Sequence, residues 1–422
     1  MTNQIKNPYL KLKNNILHLE DISLEFLSEK IGTPLYVYSR ANIKDSWNRY
    51  YNAIKNNNAM VCYGMKANSN LAILKEFVNL GSGFDIVSGG ELERVLSVGG
   101  DPKKIVFSGV GKQEWEIKNA LESGIKCFNV ESEAELYKIS QIASALKITA
   151  PISLRVNPDV DAKTHPYIST GLKENKFGIA FKDAFDCYKI ASSLPFIKII
   201  GIDCHIGSQL TEISPFSAAL EKIIPLIKNL IDNNINIKHI DIGGGLGITY
   251  KDEIVPDPKD IVDAARFKLK EANLNHLELI LEPGRSLIGN SGILLTKVLY
   301  LKHSDDKNFI IVDAAMNDLI RPALYQSYHE VQQVKARTGQ AREYDIVGPV
   351  CESADWLAKN RLLTVKENDL LVIESAGAYC TTMASNYNSR VKPAEVMVDG
   401  SEYYIIKNRE KLSDILKFET TI

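Results

Sequence analysis

Lys66 closes the run Val61-Cys-Tyr-Gly-Met-Lys66-Ala-Asn68, where an apolar strand gives way to small and polar residues. A lysine at the mouth of a buried strand loses water and its ammonium pKa drops. Its amine can then form a Schiff base with a carbonyl compound. Most lysines after a strand are solvated surface groups, so the weight rests on what accompanies this one. Five later apolar runs end in groups able to bind or move charge. They end at Asp85 with Ser88-Gly-Gly-Glu91, at Arg155-Val-Asn157, at His205-Ile-Gly207-Ser208, at Asp241-Ile-Gly243-Gly244-Gly245-Leu-Gly247, and at Glu282-Pro-Gly284-Arg285-Ser286. The glycine run lets backbone approach closely and offers N–H groups to an anion, although a tight turn explains such a run by itself. Ser208 adds a hydroxyl and Gly284 another small residue; together they suit a phosphate. His205 could lie flat on an aromatic ring or act as an acid or base, while a lone histidine is more often a satisfied interior group. Glu282 could keep a pyridine nitrogen protonated, which makes the ring an electron sink. These are the parts of a pyridoxal phosphate site.

The elements that must position these groups are eight short apolar runs, at 60–63, 84–87, 105–107, 127–130, 152–156, 199–205, 239–242 and 277–281. Amphipathic helical patterns such as 71–80 and 217–231 lie between them. Repeated strand–helix units imply a parallel sheet, and eight predict an α/β fold with a closed (β/α)8 TIM-like barrel, ahead of an open doubly wound sheet. In a barrel the groups named above collect at one rim, at the C-terminal ends of the strands. After Arg285 the pattern changes to strands at 292–301, 309–312, 345–347, 370–374 and 395–398. That is a separate β domain, sandwich- or barrel-like. The expected organisation is N-terminal strands (1–36) joining the β domain, the barrel over 37–285, and the β domain over 286–422. The segments 15–19 and 35–38 could by themselves join either domain.

A chain of 422 residues is too long for one ordinary core. Its 45% hydrophobic and 24% charged content is that of a soluble globular protein. A net charge of −2 gives no reason to expect a nucleic-acid partner. No secretory signal and no bilayer-spanning stretch are expected. The six cysteines are scattered without a CxxC pair, which fits neither a disulfide framework nor a zinc site, so no metal and a cytoplasmic home are expected.

The motifs YGMKAN, FDIVSGGEL, CHIGSQ, DIGGGLG, EPGRS, GPVCESAD and SAGAY, in this order over residues 34–393, resemble the diaminopimelate decarboxylase family. Those are pyridoxal phosphate enzymes of the alanine-racemase/ornithine-decarboxylase fold type. The stretch from Arg155 through His165 to Gly171, followed by Lys176-Phe-Gly178, resembles the diaminopimelate branch in particular. The resemblance implies that Lys66 holds the cofactor and His205 stacks on its ring, both with catalytic roles. It places Ser208, Gly243, Gly244, Gly245 and the backbone at Gly284 around the phosphate, Glu282 at the pyridine nitrogen, and Asp85, Arg285 and Tyr379 beside the cofactor. Arg285, Arg321, Tyr325, Glu352 and Tyr379 would grip the substrate. Cys351 would be a catalytic acid delivered from the other subunit of a homodimer with shared sites.

The implied reaction releases one carboxylate of meso-diaminopimelate as CO2 and leaves L-lysine, the last step of lysine biosynthesis by that route, with Cys351 or Lys66 returning the proton. Diaminopimelate carries a carboxylate and an ammonium at each end; an arginine fork suits the distal carboxylate and Glu352 the ammonium. Arg321 and Tyr325, four apart, would face the same way on a helical turn, against a plain reading as two surface residues. Taken alone, Cys351 would be a buried, inert thiol; its neighbours in GPVCESAD favour function. The alternatives are a decarboxylase of ornithine, lysine, arginine or carboxynorspermidine, and a non-catalytic cofactor-binding regulator. An alanine racemase would place an arginine where this chain has Glu282.

Overall fold

The computed structural model describes residues 7–160 and 176–422; the part of the 155–171 motif that contains His165 lies outside the described residues. The chain divides into two compact units. One consists of Trp47–Gly247 with Ile254–Ser286, the other of the segments ending at Ser46, Ile248–Glu253 and Leu287–Ile422.

The first unit is a barrel. Its strands are β1 (Ala59–Gly64), β2 (Gly83–Ile86), β3 (Ile105–Phe107), β4 (Cys127–Val130), β5 (Ala150–Asn157), β6 (Ile197–Asp203), β7 (His239–Asp241) and β8 (Glu278–Leu281). Each pairs in parallel with the next, and β8 returns to β1 through Leu279↔Ala59, Ile280↔Met60 and Leu281↔Val61, which closes the ring. The eight apolar runs are these eight strands. They read as continuous rather than alternating because both faces are covered. Inside, Cys62, Val106, Cys127 and Ile280 pack together. Gly201 leaves the room that the His239 ring fills: a Cβ there would sit 2.0 Å from His239 Nε2.

Helices follow the strands with local start signals. Asn70 caps Leu71–Asn79, which buries Ile73, Leu74 and Phe77. Ser88 caps Gly89–Ser97 by accepting from Glu91 N–H, and the Glu91 carboxylate accepts from Val87 N–H at 2.7 Å. Ser88 thus satisfies an open N–H of the first turn, while Glu91 ties down the residue before the cap. The run Ser88-Gly-Gly-Glu91 therefore has a helix start as its structural use, and burial lifts the Glu91 carboxyl to about 7. No helix among the described residues is long and apolar enough to cross a membrane.

The second unit is β-rich. Its sheet runs Trp356–Leu363, Arg342–Val347, Asn308–Val312, Gly292–His303, Leu35–Ser39, Ala394–Asp399, Glu402–Lys407. Leu35–Ser39 is buried along its whole length and sits between two partners, antiparallel to Gly292–His303 and parallel to Ala394–Asp399. The core includes Leu19, Leu24, Leu27, Val37, Ile293, Leu295, Val372 and Val396.

Candidate active site

Lys66 lies on the single turn Met65–Ala67 that leaves β1. Its Nζ meets Asp85 Oδ2 at 2.8 Å; the Asp85 side chain is fully buried, whereas that of Lys66 remains 39% exposed. The lysine is thus ion-paired and partly wet, rather than dried by the strand that carries it. The other Asp85 oxygen, Oδ1, has no hydrogen-bond partner.

Across the same rim the glycine turn after β7 is wedged between neighbouring strand ends. Gly243 and Gly245 adopt φ of +70° and +116°, and a Cβ on Gly244 would lie 2.2 Å from the Glu282 carbonyl oxygen. No other residue type fits that backbone approach. Gly244 N–H donates to His205 Nδ1 at 3.2 Å, which leaves Nε2 as the protonated nitrogen of a neutral ring. Burial holds the His205 pKa well below its ordinary value, helped by the Arg155 and Lys66 cations. Arg285, itself buried, donates from Nη2 to Ser208 Oγ at 2.9 Å.

Beneath these groups the barrel interior is crowded with acid. One oxygen each of Asp203, Asp241 and Glu282 lie within 4.8 Å of one another, all buried. Asp241 Oδ1 accepts from Gly243 N–H at 2.8 Å, and Asn129 Nδ2 donates to Glu282 Oε1 at 3.4 Å. Arg155 joins Glu131 at 2.9 Å and approaches Asp203 at 3.8 Å. Burial, then the Asp241, Asp85 and Asp203 charges, push the Glu282 carboxyl well above the usual range. Burial lifts Asp241 to about 6, and burial with the Asp241 charge holds Asp203 well above the usual carboxylate range. Asp203 Oδ1 and Asp241 Oδ2 lack hydrogen-bond partners. Several acids with little countercharge favour a proton or cation beside them. Three such oxygens could ligate a metal; Arg155 already supplies positive charge there. A protonated pyridine nitrogen at Glu282, with a phosphate at the glycine turn and Ser208, fits both the crowded acids and the close-packed cradle.

The structure therefore brings Lys66, Asp85, His205, Ser208, Gly243, Gly244, Gly245, Glu282, Gly284 and Arg285 to one barrel unit. Asp203 and Arg155 join them as members that the strand-end reading left without a role. Asp203 ends β6 two residues before His205, the one signal that could have found it.

The remaining sequence candidates belong to the β-rich unit. Arg321 and Tyr325 bound the short helix Arg321–Tyr325, with Arg321 5% exposed and Tyr325 half-buried. Arg321 donates from Nη1 to Tyr250 Oη at 2.5 Å and from Nη2 to Ser327 Oγ at 3.2 Å. Its Nε has no hydrogen-bond partner, and no carboxylate pairs with it among the described residues. Cys351 is exposed, whereas the other five cysteines are buried. The Asp355 carboxylate organises its loop, accepting from Val350 and Met316 N–H at 2.7 Å each. Cys351 N–H donates to Asn388 Oδ1, and Tyr387 Oη donates to Glu352 at 2.5 Å. Tyr379 holds φ +58°, an uncommon conformation for a bulky residue.

Residues 40–289 match the family described as pyridoxal-dependent decarboxylase, pyridoxal binding domain. The chain is 53% identical over 406 residues to a diaminopimelate decarboxylase of Vibrio cholerae, covering 96% of this chain and 97% of that protein. Among solved structures, it resembles diaminopimelate decarboxylase from Helicobacter pylori complexed with L-lysine at TM-score 0.89 and 42% identity, over 93% of this chain and 98% of that one. The enzyme from M. jannaschii in co-complex with L-lysine matches at TM-score 0.94 and 39% identity, over 99% of both chains.

Proposed function

Since the chain belongs to the diaminopimelate decarboxylases, a pyridoxal-dependent family, we propose that it converts meso-diaminopimelate to L-lysine and CO2, the last step of lysine formation by that route. Pyridoxal phosphate, when bound, supplies the electron sink that lets the bond to the leaving carboxylate break. Lys66 Nζ holds it covalently, and Asp85 orients that amine. The N–H groups of the glycine turn and the Ser208 hydroxyl take the phosphate, with Arg285 adding charge through Ser208. His205, tied through Nδ1 to Gly244, presents a neutral ring face to the cofactor. Glu282 keeps the proton on the pyridine nitrogen. Tyr379 would contribute to holding the cofactor. Arg321 takes the distal carboxylate of the substrate with Tyr325, Arg285 and Tyr379, and Glu352 takes the distal ammonium. Cys351 Sγ or Lys66 Nζ returns a proton to the carbon that loses CO2.

The observation that carries the substrate assignment is the buried Arg321 guanidinium without an anionic partner. A buried cation is costly until it is paired, and of the basic amino acids considered only diaminopimelate brings a second carboxylate. The test is to supply the cofactor-loaded protein with meso-diaminopimelate, L-ornithine, L-lysine and L-arginine and to assay CO2 and L-lysine. Turnover of diaminopimelate alone is expected. Turnover of ornithine or arginine would overturn the substrate pocket, and a loaded protein that turns over none would be a regulator.

The same proposal includes a homodimer, at home in the cytoplasm, in which Cys351 and Glu352 serve the other subunit. The outward placement of Cys351 supports this. Mixing Lys66→Ala chains with Cys351→Ala chains should restore one intact site per mixed dimer; no recovery would end the shared-site idea.

A further inference from the structure

Tyr250 lies five residues past Gly245, on the segment Ile248–Glu253 that clusters with the β-rich unit. It is 5% exposed, and its turn is fastened at several points. Glu253 Oε2 accepts from both Tyr250 and Lys251 N–H at 2.8 Å, Thr249 Oγ1 donates to Glu253 O, and Asn290 Nδ2 donates to Thr249 O. His329 packs edge-on against the Tyr250 ring, centroids 5.4 Å apart and planes at 77°. Its Nδ1 meets the Glu374 carbonyl oxygen at 2.8 Å. The phenol therefore has one place to be, and the Arg321 guanidinium is laid along it: the guanidinium carbon is 4.8 Å from the ring centroid while Nη1 meets the hydroxyl.

A guanidinium offers five N–H donors in one plane. Here two go to neutral hydroxyls, Tyr250 and Ser327, and Nε is left buried without a partner. Neutral acceptors fix the plane of the fork without cancelling its charge. A carboxylate in the place of Tyr250 would hold the arginine equally well but would compete with an incoming anion.

We infer that Tyr250 is a positioning residue for the distal carboxylate of the substrate: its hydroxyl and ring hold Arg321 in a single orientation, so that the remaining N–H groups form a preset, fully charged fork. This rests on the reading of Arg321 as the receptor for that carboxylate. A preset fork loses less freedom on binding, so the effect belongs in KM.

The test is steady-state kinetics of the cofactor-loaded enzyme on meso-diaminopimelate for Tyr250→Phe, Arg321→Ala and the double variant. Tyr250→Phe keeps the ring and removes the hydroxyl; KM should rise roughly tenfold while kcat moves far less. In the Arg321→Ala background the same change should have almost no further effect, because Tyr250 acts through Arg321. Equal losses in both backgrounds would mean that Tyr250 only supports the fold, and the proposal would fail. An unchanged KM for Tyr250→Phe beside an impaired Arg321→Ala would also overturn it, leaving the receptor reading intact. An Arg321→Ala enzyme with normal KM would sink the receptor reading itself, and this inference with it.

Discussion

The barrel rim and the surroundings of Arg321 are both buried and both electrically unbalanced, with opposite sign. In the rim, Asp85, Asp203, Asp241 and Glu282 share a closed interior with Arg155 and the half-wet Lys66. Around Arg321 the acceptors are hydroxyls, and no carboxylate answers the charge among the described residues. A fold selected for stability alone would remove both imbalances, since unpaired buried charge costs several kcal/mol. On the proposed function these are two opposite preparations for a ligand: crowded acids favour a neighbouring cation, and an isolated buried cation favours an anion.

The sharpest way to break the rim's half of that contrast is Lys66→Ala. It should lower kcat by about a thousandfold or more and abolish the absorbance of the attached cofactor; an unchanged spectrum would count against Lys66 as the attachment point. Glu282→Gln keeps the shape and removes the charge that holds the pyridine proton. It should cost roughly a hundredfold in kcat, and activity near that of the parent would remove Glu282 from its role.

Asp241→Asn probes the crowding directly. The folded Asp241 carboxyl titrates near about 6, above its ordinary 3.8. The native state therefore holds that proton more tightly than the unfolded chain. The stability contributed is full at low pH and is lost as pH rises through about 6. At pH 8 the ionised group should cost up to about 3 kcal/mol in the cofactor-stripped protein. Asn accepts the Gly243 hydrogen bond without that cost. The variant should melt higher than the parent at pH 8, with the gap closing below pH 4; a gap independent of pH would contradict a titrating Asp241. On the other side of the comparison, Arg321→Met should stabilise the stripped protein by about 1 kcal/mol. A fall in melting temperature would show that the guanidinium is better compensated than its neighbours suggest.

Much of this was legible from residue order. Both-face burial made the barrel strands into apolar runs, and six of the eight ended in the groups now found in the barrel unit. Helix caps were harder to tell from chemistry: Ser88 and Glu91 have the composition of a site and serve to fasten a helix start. Asp203 and Arg155 escaped assignment because inward-facing positions depend on strand register, which spacing along one strand does not reveal. Tyr250 escaped because the segment it rides on leaves the barrel unit for six residues, Ile248–Glu253, a detour without local signal. Leu35–Ser39 could have joined either domain by pattern; full burial on both edges and both faces assigned it to the interior of the β-rich sheet.

That strand has a consequence for how the chain is made. Its partners, Gly292–His303 and Ala394–Asp399, leave the ribosome only after the whole barrel segment. At about 5–20 residues per second the wait is on the order of tens of seconds. Throughout that interval the nascent chain carries an apolar segment with two unpaired edges, and the barrel itself cannot close until Glu278–Leu281 has been made. A transcript truncated before Ala394 would release a product with one of those edges permanently open, a ready template for aggregation.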